Sequence, residues 1–255
     1  MSNTEKLSVE GRVRTDILNA AFAAGKNGSH IAPSLSLADI CIAVLEEYDE
    51  DKDSFILGKG HGALGYYAAM HQTGMITDEQ FSSFETNGGE FPGQPSRSSS
   101  NKVECSSGSL GMGITYGLGV ALAKKNNGGK VYVVVGDGEL NEGSNWEAAA
   151  LASRYGLSNL IVVVDNNGLQ SDGLCEKIAG QDLNALWSAH GWHTEMCDGH
   201  SLTDLKQALH STHSQKPTVI LARTVKGKGV SFMENNNAWH HSVLKEDEYR
   251  NAIKE

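Results

Sequence analysis

Asp137, set between Gly136 and Gly138, and Asn167, in the run Asp165-Asn166-Asn167-Gly168, each stand just past a short apolar stretch. A carboxylate and a carboxamide supply hard oxygens, and neighbouring glycines let backbone N–H groups approach an anion closely. Such a pair suits a diphosphate held through a divalent cation. A lone Gly-Asp-Gly is a common turn, because both residue types favour turns. Paired with a second polar cluster at the end of a second apolar run, it becomes far more specific. Histidines supply the other chemistry. His61 lies among Gly60, Gly62 and Gly65, His30 follows Gly28-Ser29, and His240 sits in Trp239-His240-His241. Three glycines around one histidine imply a sharp turn or close approach to a ligand. His190, His193, His210 and His213 lack any glycine or strand-end setting and read as surface or core filler.

These groups need strand ends and tight loops to hold them. The apolar runs 131–135 and 160–164 flank a helix with Trp146, Ala149, Ala150 and Leu151 on its apolar side. That pattern predicts a βαβ unit with parallel strands. Both polar clusters then fall at carboxyl ends of strands, where open α/β sheets bind ligands. Upstream, Val13, Ile17, Ala21 and Ala24 mark a helix over 11–24. Ser36 reads as the cap of a second helix, with Asp39 as its box-like partner and Leu37, Ile40, Cys41, Val44 and Leu45 inward. A short strand at 55–57 and a helix over 63–71 bracket His61.

Residues 85–109 have no apolar periodicity and read as a long loop, usually functional or mobile in a compact domain. The helix that follows, to about 125, carries Gly111, Gly113, Gly117 and Gly119. Each is about 1 kcal/mol less favourable than Ala in a helix interior, so close packing or approach to a ligand must offset them. Helices over 181–190 and 202–210 and a last strand at 217–222 complete the order. The fold class expected is α/β, a mostly parallel doubly wound sheet with helices on both faces. One domain spanning 1–255 is expected, with residues 1–10 flexible.

The composition is that of a soluble globular chain: 255 residues, 39% hydrophobic and 20% charged. A net charge of −10 argues against nucleic-acid or anionic-membrane partners, since phosphates repel such a surface. The four cysteines form no CxxC pair, no apolar run comes near the ~18 residues of a membrane span, and no signal peptide is expected. Reduced thiols and a cytoplasmic location are expected. Gly is enriched, at 29 residues against four Pro, and clusters around the candidate site.

Taken together, GSH at 28–30, KGHGALG at 59–65, EFPGQP at 90–95, GSLGMG at 108–113, GDGELNEG at 136–143, DNNGLQSDG at 165–173 and KGKGVSFMENNNAWHH at 226–241 resemble the amino-terminal, diphosphate-binding domain of transketolase. The pattern is similar to split transketolases, whose two halves are separate polypeptides. The resemblance implies a thiamine diphosphate-binding fold. It implies Asp137 and Asn167 as side-chain ligands of Mg²⁺ (or Ca²⁺), with the Leu169 carbonyl as a third. It implies His61 and Gly138 as diphosphate contacts, and Gly108 and Leu110 beside the aminopyrimidine. Glu142 resembles the carboxylate that links two cofactor sites through a proton network. His30, His61 and His240 match histidines that face the substrate or the reactive carbon.

One position departs from that pattern. Gln94 stands where the family usually has a histidine, and residues 96–102 also differ. A carboxamide can hydrogen-bond a sugar hydroxyl but cannot carry a proton, which points to a donor other than the ordinary pentulose phosphate. The resemblance also implies what is missing: the pyrimidine-binding domain with its activating glutamate. The expectation is a subunit that transfers a two-carbon ketol unit from a ketose, as its phosphate, to an aldehyde. It would work only with a carboxy-terminal partner subunit, as a heterotetramer of two heterodimers. The alternatives are a deoxyxylulose-phosphate-type synthase, an oxo-acid dehydrogenase alpha chain or a non-catalytic paralogue that binds a partner. A dinucleotide-binding domain is disfavoured, since no GxGxxG follows a first strand.

Overall fold

Five parallel strands carry the site: β1 (Ser54–Leu57), β2 (Val131–Gly136), β3 (Leu160–Asn166), β4 (His193–Asp198) and β5 (Thr218–Arg223). They lie in the order β1-β2-β3-β5-β4. The computed structural model describes residues 7–255. Of the stretch expected to be flexible, residues 1–6 lie outside the described residues, while Ser8 already caps a helix, accepting from Gly11 N at 3.3 Å. That helix is α1 (Val9–Ala23). The others are α2 (Ile31–Glu46), α3 (Ala63–Gln72), α4 (Asp78–Ser82), α5 (Met112–Lys124), α6 (Gly143–Arg154), α7 (Cys175–Ala179), α8 (Leu183–Ala189), α9 (Leu202–His210) and α10 (Glu246–Ala252).

The sheet is covered on both faces, which is why β2 and β3 read as unbroken apolar runs. Alternate residues serve opposite faces. Tyr132, Val134, Ile161, Val163, Ile220 and Ala222 join a core with α1, α2, α3 and α9. Val131, Val133, Val135, Leu160, Val162, Val164, Val219 and Leu221 join a second core with α5, α6 and Trp187 of α8. The doubly wound α/β expectation is met. The register Gly136↔Asp165 places the ends of β2 and β3 side by side, so the two polar clusters are neighbours in space.

Three local expectations are corrected. The second helix starts at Ile31, five residues before Ser36. Pro33 does not prevent this, because it lies in the first turn, where a missing N–H costs no intrahelical bond. Ser36 and Asp39 are therefore helix-interior groups, both buried and bonded to distant residues. In α6 the buried face is Asn145, Ala148, Ala149 and Ala152, whereas Ala150 is exposed and Leu151 is 47% exposed. The short α4, which no periodicity in the sequence marks, stacks Phe81 on His71 of α3 with ring centroids 4.8 Å apart; Thr77 caps it in a capping box with Gln80. Two of the four helix glycines are explained by close packing; Gly111 is instead the N-cap at φ 87° and Gly119 meets only open space. A Cβ on Gly113 would lie 2.5 Å from Gly58 Cα, and one on Gly117 would lie 2.5 Å from Val133 Cγ2, so both allow α5 to sit close on the sheet. No helix among the described residues is long and apolar enough to cross a membrane.

Candidate active site

The carboxyl ends of β2 and β3 form one wall of a cavity of about 250 Å³, lined by Asp137, Gly138, Asn167 and Leu169. Asp137 leaves β2 with its carboxylate tied down by backbone: Oδ1 accepts from Gly138 N at 2.7 Å and Oδ2 from Gly168 N at 2.5 Å. Burial, with Asp165 close by, still pushes this carboxyl up to about 6. Asn167 Oδ1 accepts from Leu169 N at 3.0 Å, and its Nδ2 donates to Ser36 Oγ at 3.1 Å. A Cβ on Gly138 would lie 2.7 Å from the Gln170 side chain, so only glycine fits this turn without displacing Gln170.

Beneath this wall lies a buried polar floor. Asp165, fully buried, accepts from Ser36 Oγ at 2.7 Å, from Thr224 Oγ1 and from the Lys59 ammonium. Lys59 Nζ also reaches the Pro33 carbonyl at 3.1 Å. With the Lys59 ammonium against it, Asp165 stays below the usual carboxylate range despite its burial. Lys226 approaches from the loop after β5. It is 2% exposed, and among the described residues its Nζ donates only to the Gln170 carbonyl at 3.1 Å and Asn237 Oδ1 at 3.0 Å. Burial without a carboxylate partner, beside the Lys59 charge, lowers its pKa to about 8.

The opposite wall is imidazole. His30 lies at the N-cap of α2, His61 in the 3₁₀ turn between β1 and α3, and His240 at the end of a 3₁₀ turn near the carboxy terminus. Their ring centroids are 5.1 to 5.7 Å apart. His241 adds a fourth ring, 4.6 Å from His30. Burial lowers His30 to about 4, His61 to about 2 and His240 to about 3. The nearby Lys59 and Lys226 ammoniums add to the shift in each. All three rings are neutral at neutral pH. Gln94 closes this wall against Gly60 and Gly108, and a Cβ on Gly60 would collide with its carboxamide oxygen. Among the described residues, Gln94 Oε1, Ser107 Oγ and His240 Nδ1 find no partner here though buried, as does Gln170 Nε2 on the strand-end wall. His30, His61 and Gln94 also line a second cavity of about 360 Å³, with Ser29, Glu85 and His241.

Most residues singled out from sequence thus meet at one cleft, Gly108 and Leu110 included. Glu142 does not. It is exposed at the start of α6, with its side chain unbonded among the described residues. The carboxylate under the cleft is Glu139, 2% exposed, which accepts from Gly111 N at 3.0 Å and Gly136 N at 3.3 Å. Burial raises it to about 7. Glu139, Lys59, Asp165, Lys226 and His241 are site residues that sequence reasoning misses. For both lysines a signal exists: each lies at a strand end and is followed by glycine, as His61 is.

The family model described as "Transketolase, thiamine diphosphate binding domain" matches residues 23–255. The chain is 37% identical to one of the subunits of the apulose-4-phosphate transketolase of Actinobacillus succinogenes, covering 98% of this chain and 95% of that one. It is 33% identical to the SqwG subunit of the 6-deoxy-6-sulfo-D-fructose transketolase of a Clostridium species, over 91% of this chain and 90% of the other. The crystal structure of a transketolase variant from Pichia stipitis superposes with a TM-score of 0.86 at 28% identity, covering 96% of this chain but only 40% of that one.

Proposed function

This chain belongs to the transketolase family, and we propose that it is the diphosphate-binding subunit of a two-component transketolase. In this reading it transfers a two-carbon ketol unit from a ketose phosphate to an aldehyde, together with a carboxy-terminal subunit. The observation that carries the reading is the cleft itself: two strand-end oxygens face three neutral histidines across one cavity. The residues fit thiamine diphosphate and Mg²⁺. Asp137 and Asn167 supply two oxygen donors, and no group of three or more metal-ligating His, Cys, Asp or Glu occurs among the described residues. A cation held here would draw its remaining ligands from the Leu169 carbonyl, the diphosphate and water. Lys226, a buried cation without a carboxylate, suits the diphosphate charge, with Gly138 and His61 beside it.

Thiamine diphosphate, when bound, supplies the electron sink that allows a carbon–carbon bond next to a carbonyl to break. This chain's residues do the rest of the positioning. His30, His61 and His240, held neutral, accept and return protons at sugar hydroxyls. His240 offers an unpartnered Nδ1 for this, and Gln94 offers its carboxamide oxygen to a hydroxyl. Gly108 and Leu110 border the ring end of the cofactor. Glu142, exposed beside that end, supplies the link toward a second cofactor site.

The partner has a surface to meet. α5 packs on α6, and their outward faces show Met112, Tyr116, Leu122, Leu151 and Tyr155, each at least 39% exposed. Exposed apolar surface of this extent next to a ligand cleft suits a protein partner. Two such heterodimers joined about a two-fold axis, in the cytoplasm, complete the reading. The test is titration of thiamine diphosphate and Mg²⁺ into the chain mixed with a carboxy-terminal transketolase subunit, followed by a ketol-transfer assay. Binding and turnover by the mixture, loss of both in Asp137→Ala and no turnover by the chain alone are expected. Turnover by this chain alone, or wild-type turnover in Asp137→Ala, would overturn the reading.

A further inference from the structure

The loop after β5 delivers Lys226 to the cleft, and a cluster touching neither cavity holds that loop from behind. Asp39, in the middle of α2 and 1% exposed, accepts from Arg14 Nη1 at 3.0 Å and Nη2 at 2.5 Å, and faces His200 Nδ1 at 2.7 Å. The other ring nitrogen, His200 Nε2, lies 2.8 Å from Val225 N. Arg14 Nε donates to the Lys228 carbonyl at 3.3 Å. Backbone on both sides of Lys226 is therefore bonded to one buried carboxylate's two partners. Further in, Gly227 N donates to the Ala32 carbonyl at 3.0 Å, so the same loop is pinned to the first turn of α2 beside His30.

The bonding pattern has one consistent proton arrangement. A backbone N–H only donates, so His200 Nε2 must present its lone pair to Val225. The ring is then neutral, with its proton on Nδ1, and that proton is donated to Asp39. Asp39 thus selects the tautomer that lets His200 grip the loop. The opposite tautomer would set N–H against N–H. No other role is visible for His200: it is absent from the cleft lining, and its ring makes no other bond among the described residues.

We propose that Asp39, His200 and Arg14 are positioning residues that clamp the 224–229 loop and so aim the Lys226 ammonium at the cofactor's diphosphate. This rests on the function proposed above. The informative variant is Asp39→Asn. Its carboxamide keeps the volume and an oxygen for Arg14, but it turns an NH₂ toward His200 and reverses the tautomer, as an Asp-to-Asn change does in a serine-protease triad. In the two-subunit complex, affinity for thiamine diphosphate with Mg²⁺, measured calorimetrically, should fall about 10-fold, the lower end for an outer-shell change. The cofactor's KM should rise while kcat at saturating cofactor stays near wild type.

Because the clamp acts through Lys226, adding Asp39→Asn to Lys226→Met should weaken binding no further than Lys226→Met alone. His200→Phe should behave as Asp39→Asn does. Additive losses in the double variant, or unchanged affinity in Asp39→Asn, would overturn the clamp. Should both single variants fail to fold, ¹⁵N-histidine labelling of this chain in the wild-type complex decides the matter. The Nδ1–H tautomer of His200 is expected, and an Nε2–H tautomer or an imidazolium at neutral pH rejects the proposal. Failure of the wild-type complex to bind the cofactor overturns the functional reading instead, and leaves the tautomer result standing.

Discussion

The two walls of the cleft are built on opposite terms. On the strand-end wall, both Asp137 oxygens and the Asn167 oxygen are bonded to backbone N–H groups, and Asp165 beneath them has three partners. On the histidine wall, His240 Nδ1 and Gln94 Oε1 are buried with no partner among the described residues. Buried polar atoms are normally satisfied, so a set of orphans in one place marks where a ligand's hydroxyls belong. Apart from Gln170 Nε2, which is also buried without a partner among the described residues, the acceptors of the first wall are satisfied by the fold, which suits a part of the ligand that does not change. The other is left open, and suits the part where bonds form and break.

That contrast can be broken by substitution. Lys59→Met should strike the finished wall hardest, destabilising the chain by about 3–5 kcal/mol because Asp165 stays buried and charged without its cation; urea denaturation reads this directly. His240→Gln should do the reverse, lowering kcat of the two-subunit enzyme by about 100-fold, the lower range for a lost acid–base group, with an unchanged urea midpoint. A loss of stability in His240→Gln comparable with that of Lys59→Met would erase the distinction between the walls.

Gln94→His should alter donor preference by a few-fold, roughly the effect of one or two hydrogen bonds, read as kcat/KM across a panel of ketose phosphates. A separate effect is on pH. His30, His61 and His240 have native values well below the unfolded 6.5, so below that pH the unfolded chain takes up protons that the native one refuses. Native stability should then fall as pH drops from 6.5 toward 4. His61→Gln should flatten this slope, measured as melting temperature against pH.

The finished wall is the more legible from sequence. Gly136-Asp137-Gly138 and Asn167-Gly168 announce themselves because turn chemistry is local, and the parallel register of β2 and β3 does the rest. The floor is not legible: Ser36 and Asp165 are 129 residues apart, and Lys59 and Asp165 are 106 apart. Nothing in either neighbourhood names the other. Asp39 resembles a helix-cap partner for the same reason, since Arg14 and His200, which it meets, come from α1 and from the turn after β4. The α6 register fails differently. Leu151 reads as inward because it is apolar, yet the sheet side of that helix is filled by alanines, which let it sit close. An apolar residue facing outward cannot be recognised from a pattern that assumes the chain's only burial is against itself.

The exposed side chains of α5 and α6 carry a consequence for the cell that makes this protein. Met112, Tyr116, Leu122, Leu151 and Tyr155 are the groups that chaperones and proteases recognise when uncovered. In the proposed assembly, copies made in excess of the partner subunit would leave this surface uncovered and open to chaperones and proteases. Balanced production of two chains, and not only the catalytic geometry, then becomes part of what a split enzyme must maintain.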